Sequence, residues 1–318
     1  MHDERRYREQ RMRNEHRYRV LTGDGTGLYA VDSGPDGAPV TVVLAHGWTL
    51  DERCWAPVAH ELTGGSHPGP RPRVIRYDHR GHGRSDDTPD ASKTLERLAD
   101  DLAELIGQVA PSGPLVLAGH SMGGMTVMAL AQRHPELVAS RVAGVALVAT
   151  ASGGLGGAAT LGMSGRPARM FLAGKQALTT SPRWTERREL SRHPALLGPG
   201  LRALLLGRRP DGRARRLTYG AIGDCRPTTV SGFTPTLTEH ERDAALDAFA
   251  DLPVEVMVGS ADRLTPPRFT RRIRTHLPQS AMTIFPDAGH MIPVERVDGV
   301  SSRIAALVQQ AAARVTST

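Results

Sequence analysis

The residues with the clearest chemical potential form the pentapeptide Gly119-His120-Ser121-Met122-Gly123. The apolar run 115–118 before it predicts a buried strand, and apolar residues at helical spacing follow it until His134. A Gly-x-Ser-x-Gly on a strand-to-helix turn is typical of a nucleophile elbow, which strains the serine backbone and exposes its hydroxyl. Glycines two positions before and after the serine leave room for so tight a turn. The pattern predicts Ser121 as a nucleophile, although by itself it also fits an ordinary turn.

A serine hydroxyl needs a base that takes its proton, and the base needs an acid that holds its tautomer. Two later segments offer these groups directly after predicted strands. Asp262 follows the predicted strand Val254–Val258, and His290 follows the predicted strand that ends at Phe285. The order serine, aspartate, histidine is the one that accompanies a nucleophile elbow. We therefore predict Asp262 as the acid and His290 as the base.

Two other aspartates compete for the role of the acid. Asp287 lies on the same loop as His290, so a hydrogen bond across the site would be awkward. Asp243 precedes the seventh predicted strand and would point the wrong way. Asp262 is therefore preferred over both.

Four further histidines lie in or beside the motifs. His46 and His120 are interpreted as structural residues that support loops, because most histidines in such positions are. His79 and His82 belong to a loop whose glycines set its turns, and we expect that loop at the surface.

Short apolar runs alternate with helical patterns along most of the chain, which predicts a doubly wound, mostly parallel sheet. Its ligand site should lie outside the carboxyl ends of the strands. The predicted strands are Arg19–Leu21, Leu28–Val31, Val40–Leu44, Val74–Tyr77, Leu115–Ala118, Gly144–Val148, Val254–Val258 and Ala281–Phe285. The predicted helices include Lys93–Val109, Met122–His134, Pro267–Leu277 and Glu295–Val315.

The alternation stops between residues 151 and 245, where helical patterns occur with no strand between them. We call this segment the cap and expect it to cover the carboxyl ends of the sheet. The predicted core then comprises residues 21–150 and 246–318. Apolar cap residues either line a substrate chamber or pack the cap onto itself. They include Met163, Met170, Phe171, Leu197 and Leu204.

Composition limits the possible classes of protein. The 318 residues carry a net charge of +7 and are 39% apolar, enough for a sizeable core. No apolar stretch is long enough to span a membrane, and the first twenty residues lack the apolar segment of a secretory signal. Cys54 and Cys225 lie far apart, without metal-ligand spacing, and are expected to be plain thiols. These features predict a cytoplasmic protein without a metal or other cofactor.

Arginine supplies almost all of the positive charge and is concentrated in two places. In the charged N-terminal arm, residues 1–20, pairs such as Glu15–Arg19 have helical spacing and fit a solvated helix or a frayed arm. The second concentration lies between Arg202 and Arg216 in the cap. It fits a solvated surface best, or else attraction of an anionic substrate. Nucleic-acid binding is disfavoured because no aromatic residues interleave with the arginines.

Four motifs together resemble those of the α/β-hydrolase superfamily of serine hydrolases, over about residues 20–315. Besides the pentapeptide, they are Ala45-His46-Gly47-Trp48, the run from Asp78 to Ser85 that reads Asp-His-Arg-Gly-His-Gly-Arg-Ser, and the pair Asp262 and His290. The resemblance implies the α/β-hydrolase fold, with eight strands and a helical cap inserted after the sixth. It also implies that the backbone N–H groups of Trp48 and Met122 form the oxyanion hole. The indole of Trp48 would either line the substrate site or serve only in packing.

A serine at the elbow disfavours the relatives that use an aspartate nucleophile, such as those resembling haloalkane dehalogenases and epoxide hydrolases. The resemblance thus implies acyl transfer to water. Esters, lactones, thioesters and carbon–carbon diketone bonds fit this chemistry. The aliphatic cap favours a small-molecule ester or lactone with an apolar body.

Two alternatives remain open on the same fold. One is a biosynthetic tailoring enzyme that catalyses cyclisation, rearrangement or acyl transfer, or a cofactor-free haloperoxidase-like protein. The other, less favoured, is a ligand receptor without catalysis. The oligomeric state stays open as well.

Overall fold

In the computed structural model, residues 15–65, 67–155 and 202–315 are described, and eight strands among them form one sheet. The strands are β1 (Glu15–Leu21), β2 (Gly27–Ser33), β3 (Thr41–Ala45), β4 (Arg73–Tyr77), β5 (Leu115–His120), β6 (Val142–Val148), β7 (Val254–Gly259) and β8 (Ala281–Phe285). The helices include α1 (Ala56–Gly64), α2 (Leu95–Val109), α3 (Met122–Arg133), α4 (Pro135–Arg141), α5 (Gly212–Asp224), α6 (Pro227–Thr238), α7 (Pro267–His276), α8 (Ile292–Glu295) and α9 (Val297–Val315). The predicted α/β fold with eight strands is confirmed.

The order of the strands determines where a ligand can bind. It is β1-β2-β4-β3-β5-β6-β7-β8, and β2 is antiparallel to its two neighbours while the other pairs are parallel. After β3 the chain adds β4 on one side and then crosses to β5 on the other. Such a reversal opens a crevice at the carboxyl ends of the strands. The loops after β3 and β5 therefore meet at the expected ligand site.

The central strands β3, β5 and β6 are buried on both faces, as strands inside a parallel sheet are. Alternate residues of β3 show this, because Val43 and Ala45 join one apolar cluster while Val42 and Leu44 join the other. Helices α2, α3 and α7 cover the first face, and α1 and α9 cover the second. The strands read as continuous apolar runs in the sequence for this reason.

The structure differs from the predicted elements at the start of β1 and at the start of the last helix. Strand β1 begins at Glu15. Glu15 and Arg19 therefore lie on a strand and do not form the predicted helical pair. The segment pairs with β2 instead, and Glu15 accepts a hydrogen bond from the buried Arg76 at 2.7 Å. The last predicted helix is broken at Arg296, whose backbone is not helical (φ −137°, ψ 49°), and this separates α8 from α9.

The helical insertion follows β6, as predicted, and α5 and α6 belong to its described part. Leu204 is partly buried against the α1 and α9 side of the core. The other apolar residues predicted for the cap lie outside the described residues, and so do residues 1–14 of the arm. They are Met163, Met170, Phe171 and Leu197. Of the described helices, none is long and apolar enough to cross a membrane.

Neighbouring aspartates of α2 bind arginines at different degrees of burial. Asp101 accepts two hydrogen bonds from Arg80, at 2.6 and 2.7 Å, and both side chains are 1% exposed. Asp100 accepts two from Arg133, both at 2.8 Å, but Arg133 is 42% exposed. The two pairs share a geometry and differ in their contact with solvent.

We expect Asp101→Asn to lower the free energy of unfolding by about 3 kcal/mol, because it removes the buried one of the two carboxylates, Asp101 and Asp24, that pair with the buried guanidinium of Arg80. Asp100→Asn is the matched control and should cost less than about 1 kcal/mol, since solvent screens that pair. Urea unfolding followed by circular dichroism measures both. Equal losses in the two variants would show that burial does not decide the strength of these pairs.

Candidate active site

Ser121 lies on the turn between β5 and α3, where the flanking patterns predicted it. Its backbone has φ 52° and ψ −118°, a conformation that residues other than glycine rarely adopt. The Ser121 amide donates to the carbonyl of Val148 at 2.9 Å. The Ser121 carbonyl accepts the Thr150 hydroxyl at 2.7 Å and the Gly124 amide at 2.9 Å. Three neighbours thus hold the serine in a strained conformation.

Close backbone contacts explain the two glycines of the motif. A Cβ atom on Gly119 would lie 2.4 Å from the carbonyl oxygen of Gly123. A Cβ atom on Gly123 would lie 2.2 Å from the carbonyl oxygen of Ala45, at the end of β3. Both obstacles are backbone atoms, which cannot rotate aside as the end of a side chain can. The turn therefore requires glycine at both positions.

The loop after β3, residues 46–50, which we call the β3 loop, lies against this turn. A Cβ atom on Gly47 would lie only 3.2 Å from the Cβ of Ser121. The carbonyl of Gly47 lies 2.8 Å from Nδ1 of His46 and also accepts the amide of Leu50 at 3.2 Å. The C=O and N–H of a trans peptide point in opposite directions. The N–H of Trp48 is therefore turned away from His46.

The N–H of Met122 is oriented in the same way. It belongs to the peptide that carries the Ser121 carbonyl, which Thr150 and Gly124 hold in place. Its direction is thus opposite to that of this carbonyl. Met122 is also the first residue of α3, where N–H groups have no partner within the helix. Both predicted oxyanion donors lie on peptides of fixed orientation.

Asp262 and His290 meet beyond the ends of β7 and β8. The Nδ1 atom of His290 lies 2.9 Å from Oδ2 of Asp262, and the side chains are 4% and 0% exposed. Burial by itself raises the pKa of the Asp262 carboxyl. The electrostatic attraction of His290, together with hydrogen bonds from His290 and Thr265, lowers it by more, so the pKa lies below its ordinary value. Asp262 is therefore an ionised acceptor for the Nδ1–H of His290.

His120 connects this pair to the elbow. Its Nε2 donates to the backbone carbonyl of His290 at 2.9 Å, and the two ring centroids are 4.9 Å apart. Burial lowers the pKa of His120 to about 3, so the ring is neutral. No described hydrogen bond joins the Ser121 and His290 side chains directly. Their nearness follows from His120, which precedes Ser121 in the chain and contacts His290.

The competing aspartates are engaged elsewhere. Asp287 is exposed, has a φ of 55° and pairs with Arg208 at 3.3 Å. The carboxylate of Asp243 accepts hydrogen bonds from Arg272 and Ser152. Of the three aspartates, the structure brings Asp262 to the histidine.

The predicted surface position of His79 and His82 is wrong, because both side chains are buried. His79 lies edge-on to His46, and its Nε2 donates to the His46 carbonyl at 3.0 Å. The amide of Thr49 donates to Nε2 of His82 at 3.4 Å. Burial lowers the pKa of His82 to about 3 and that of His79 well below its usual range. These neutral rings support the β3 loop from below.

Helix α6 of the cap packs on the β3 loop and on the buried histidines. The indole N–H of Trp48 donates to the Thr229 carbonyl at 3.5 Å, and the Thr229 hydroxyl donates to the Gly81 carbonyl at 2.5 Å. The guanidinium of Arg226 also donates to the Gly81 carbonyl, at 2.8 Å. The indole of Trp48 therefore connects the β3 loop to the cap.

A second cap segment contacts the loop after β8, residues 286–291, which we call the histidine loop. The amide of His290 donates to the Leu205 carbonyl at 2.8 Å. The Glu295 carboxylate accepts the amide of Gly207 at 2.8 Å and that of Gly289 at 3.1 Å. Sequence reasoning missed Glu295, Thr150 and Thr265, because only their spatial neighbours reveal what they hold.

Known proteins resemble this chain over most of its length. Residues 42–303 match the alpha/beta hydrolase family. A pimeloyl-[acyl-carrier protein] methyl ester esterase of Aromatoleum aromaticum is 28% identical over 253 residues, which cover 78% of this chain and 90% of the relative. A bifunctional esterase/perhydrolase of Acinetobacter calcoaceticus is 36% identical over 118 residues, 37% of this chain and 40% of the relative.

A solved structure gives a similar picture. The thermophilic esterase from Thermogutta terrifontis has a TM-score of 0.68 and 25% sequence identity, and the match covers 93% of this chain and 99% of that one. The match therefore extends over nearly the whole chain.

We expect Gly123→Ala to lower the free energy of unfolding by about 3 kcal/mol or more, because the new methyl group would overlap the Ala45 carbonyl. Gly107→Ala is the matched control, since a Cβ atom there, in α2, meets nothing within 4 Å. It should raise stability by about 0.5–1 kcal/mol. Urea unfolding distinguishes them. Wild-type stability of Gly123→Ala would contradict the proposed backbone constraint at the elbow.

We expect Glu295→Gln to speed amide exchange in the histidine loop about tenfold, because the amide side chain accepts for only one of the two N–H groups. Hydrogen–deuterium exchange of peptides that cover residues 286–292 measures the change. Glu136→Gln, at an exposed position of α4, is the control and should leave this exchange unaltered. Unchanged exchange in Glu295→Gln would mean that the carboxylate does not hold the loop.

Proposed function

The chain belongs to the α/β-hydrolase family and is a hydrolase, and we propose that it cleaves an ester or lactone bond, or a thioester, through an acyl-enzyme on Ser121. The observation that carries this proposal is the buried hydrogen bond between Asp262 and His290 beside a strained elbow serine. An ionised acid, an imidazole held in one tautomer and a strained serine are the requirements for a serine nucleophile.

The first half of the reaction forms the acyl-enzyme. Ser121 Oγ attacks the carbonyl carbon while Nε2 of His290 takes the hydroxyl proton, and Asp262 stabilises the imidazolium. The Trp48 and Met122 N–H groups hold the oxyanion, each contributing about 3 kcal/mol of transition-state stabilisation. The imidazolium then gives its proton to the leaving oxygen as the carbon–oxygen bond breaks. In a lactone, the leaving oxygen stays attached to the acyl chain.

The second half releases the acid and restores the enzyme. A water molecule gives a proton to His290 and attacks the acyl carbon, and the same two N–H groups hold the new oxyanion. Collapse of this intermediate breaks the bond to Ser121 Oγ, which recovers its proton from His290. Neither half needs a metal or an organic cofactor.

The surroundings of Trp48 support a substrate with an apolar body. The indole is half-buried between the β3 loop and α6, whose Phe233 is buried against His82. Binding a small apolar ester or lactone there would remove aromatic surface from water. A cytoplasmic location stays a prediction.

A second candidate reaction uses the same acyl-enzyme with hydrogen peroxide in place of water. The name of the Acinetobacter relative, an esterase/perhydrolase, favours it. Attack by peroxide would yield a peracid rather than an acid. Acyl transfer in a tailoring reaction would also use this acyl-enzyme, and it would differ from hydrolysis only in the molecule that accepts the acyl group.

We expect a fluorophosphonate probe to label the wild-type protein once, at Ser121, and Ser121→Ala to take no label. Hydrolysis of p-nitrophenyl esters should fall in Ser121→Ala by about 10⁴-fold or more, because the nucleophile is lost. Activity should rise from acetate to longer acyl chains. Circular dichroism confirms that the variant is folded. A folded wild-type protein without label would end the proposal, and label without turnover of esters, lactones or thioesters would favour a different acceptor.

A further inference from the structure

Thr265 is a buried residue shared by both members of the acid–base pair. Its hydroxyl lies 2.9 Å from Oδ2 of Asp262 and 3.2 Å from Nδ1 of His290. The Nδ1 atom lies 2.9 Å from the same Oδ2, so the three atoms form a compact triangle. Thr265 is only 3% exposed, which removes water as a competing partner for its hydroxyl.

The positions of the protons follow from the chemistry of the three groups. An ionised carboxylate only accepts, so both the hydroxyl and the Nδ1–H donate to Oδ2 of Asp262. The hydroxyl oxygen lies 3.2 Å from Nδ1, farther than the 2.9 Å that separates this nitrogen from Oδ2 of Asp262. Thr265 thus acts mainly as a donor to the acid.

Thr265 also fixes the plane of the carboxylate. Its backbone amide donates to Oδ1 of Asp262 at 2.9 Å, while its hydroxyl donates to Oδ2. One residue therefore holds both oxygens. The following Pro266 caps α7, so Thr265 is anchored to the start of a helix. Rotation of the carboxylate away from His290 would break both of these hydrogen bonds.

We propose that Thr265 is a positioning residue whose hydroxyl aims the Asp262 carboxylate at His290 and reduces the negative charge that the imidazole experiences. This inference rests on the proposed acyl-enzyme mechanism, because it assigns a role within that reaction. The base must be uncharged to accept the serine proton. A hydroxyl that donates to Oδ2 takes up part of the negative charge that stabilises the imidazolium.

Two other titratable side chains lie near His290, and neither places a charge on its ring as Asp262 does. His120, from the end of β5, is neutral because burial lowers its pKa to about 3. Glu295, from α8, accepts hydrogen bonds from the amides of Gly207 and Gly289, not from the ring.

The test compares Thr265→Val, which removes only the hydroxyl, with Thr265→Ser, which keeps it. We expect kcat of Thr265→Val on p-nitrophenyl esters to fall about tenfold, with KM within about twofold, as for a lost hydrogen bond to a charged group. Thr265→Ser should recover most of the rate. The acidic limb of the pH–rate profile should move up by about 0.5–1 unit in Thr265→Val only.

Thr270→Val is the matched control, because Thr270 is also buried and its hydroxyl has no hydrogen-bond partner among the described residues. It should leave kcat and the pH profile unchanged. Wild-type kcat and pH profile in Thr265→Val would overturn the proposal. An equal loss in Thr265→Ser would overturn it too, because the methyl group and not the hydroxyl would then be responsible.

Failure of the acyl-enzyme mechanism gives a different result from failure of the Thr265 proposal. If wild-type protein takes no fluorophosphonate label, or Ser121→Ala keeps its esterase activity, the mechanism itself is wrong. If the mechanism and the Thr265 proposal both hold, Thr265→Val takes the label more slowly than wild type but reaches the same final extent.

Discussion

The contact between the first turn of α3 and the end of β3 is the constraint on which the site depends. At Gly123 the two backbones approach so closely that a Cβ atom would lie 2.2 Å from the Ala45 carbonyl. This approach occurs where the strand order reverses, between β3 and β5. It places Ser121 directly beside Gly47 of the β3 loop. Ser121, the proposed nucleophile, and the N–H groups proposed for the oxyanion are thus neighbours because two backbones touch.

Buried neutral histidines hold the loops around that contact. His46 fixes the Gly47 carbonyl, His79 fixes the His46 carbonyl, and His120 fixes the carbonyl of His290. Burial lowers the pKa of each of these three rings, so each acts as a donor or acceptor without charge. His290 differs because Asp262, an ionised carboxylate, faces its Nδ1. The supporting rings are therefore neutral, whereas His290 faces a negative charge.

The cap contacts both sides of the site through backbone groups. On one side, α6 meets Trp48 and the Gly81 carbonyl. On the other, the Leu205 carbonyl accepts the His290 amide, and Glu295 joins Gly207 to Gly289. Positions 207 and 289 are both glycines. A Cβ atom at either would overlap main-chain atoms of the other segment, because the two backbones are in direct contact there. The cap thus contributes to the position of the histidine loop.

The sequence by itself determined the eight strands, the elbow and the order of Ser121, Asp262 and His290, because apolar periodicity and glycine spacing are local properties. It misjudged β1, where pairing with β2 outweighs the helical spacing of Glu15 and Arg19. It also placed His79 and His82 at the surface, although both are buried against residues distant in the chain: His79 against His46, and His82 against Phe233 of α6. Only the tertiary structure decided that Thr265 is shared by the acid and the base and that Glu295 holds the histidine loop. These roles arise from distances between residues on different elements, which no local pattern encodes.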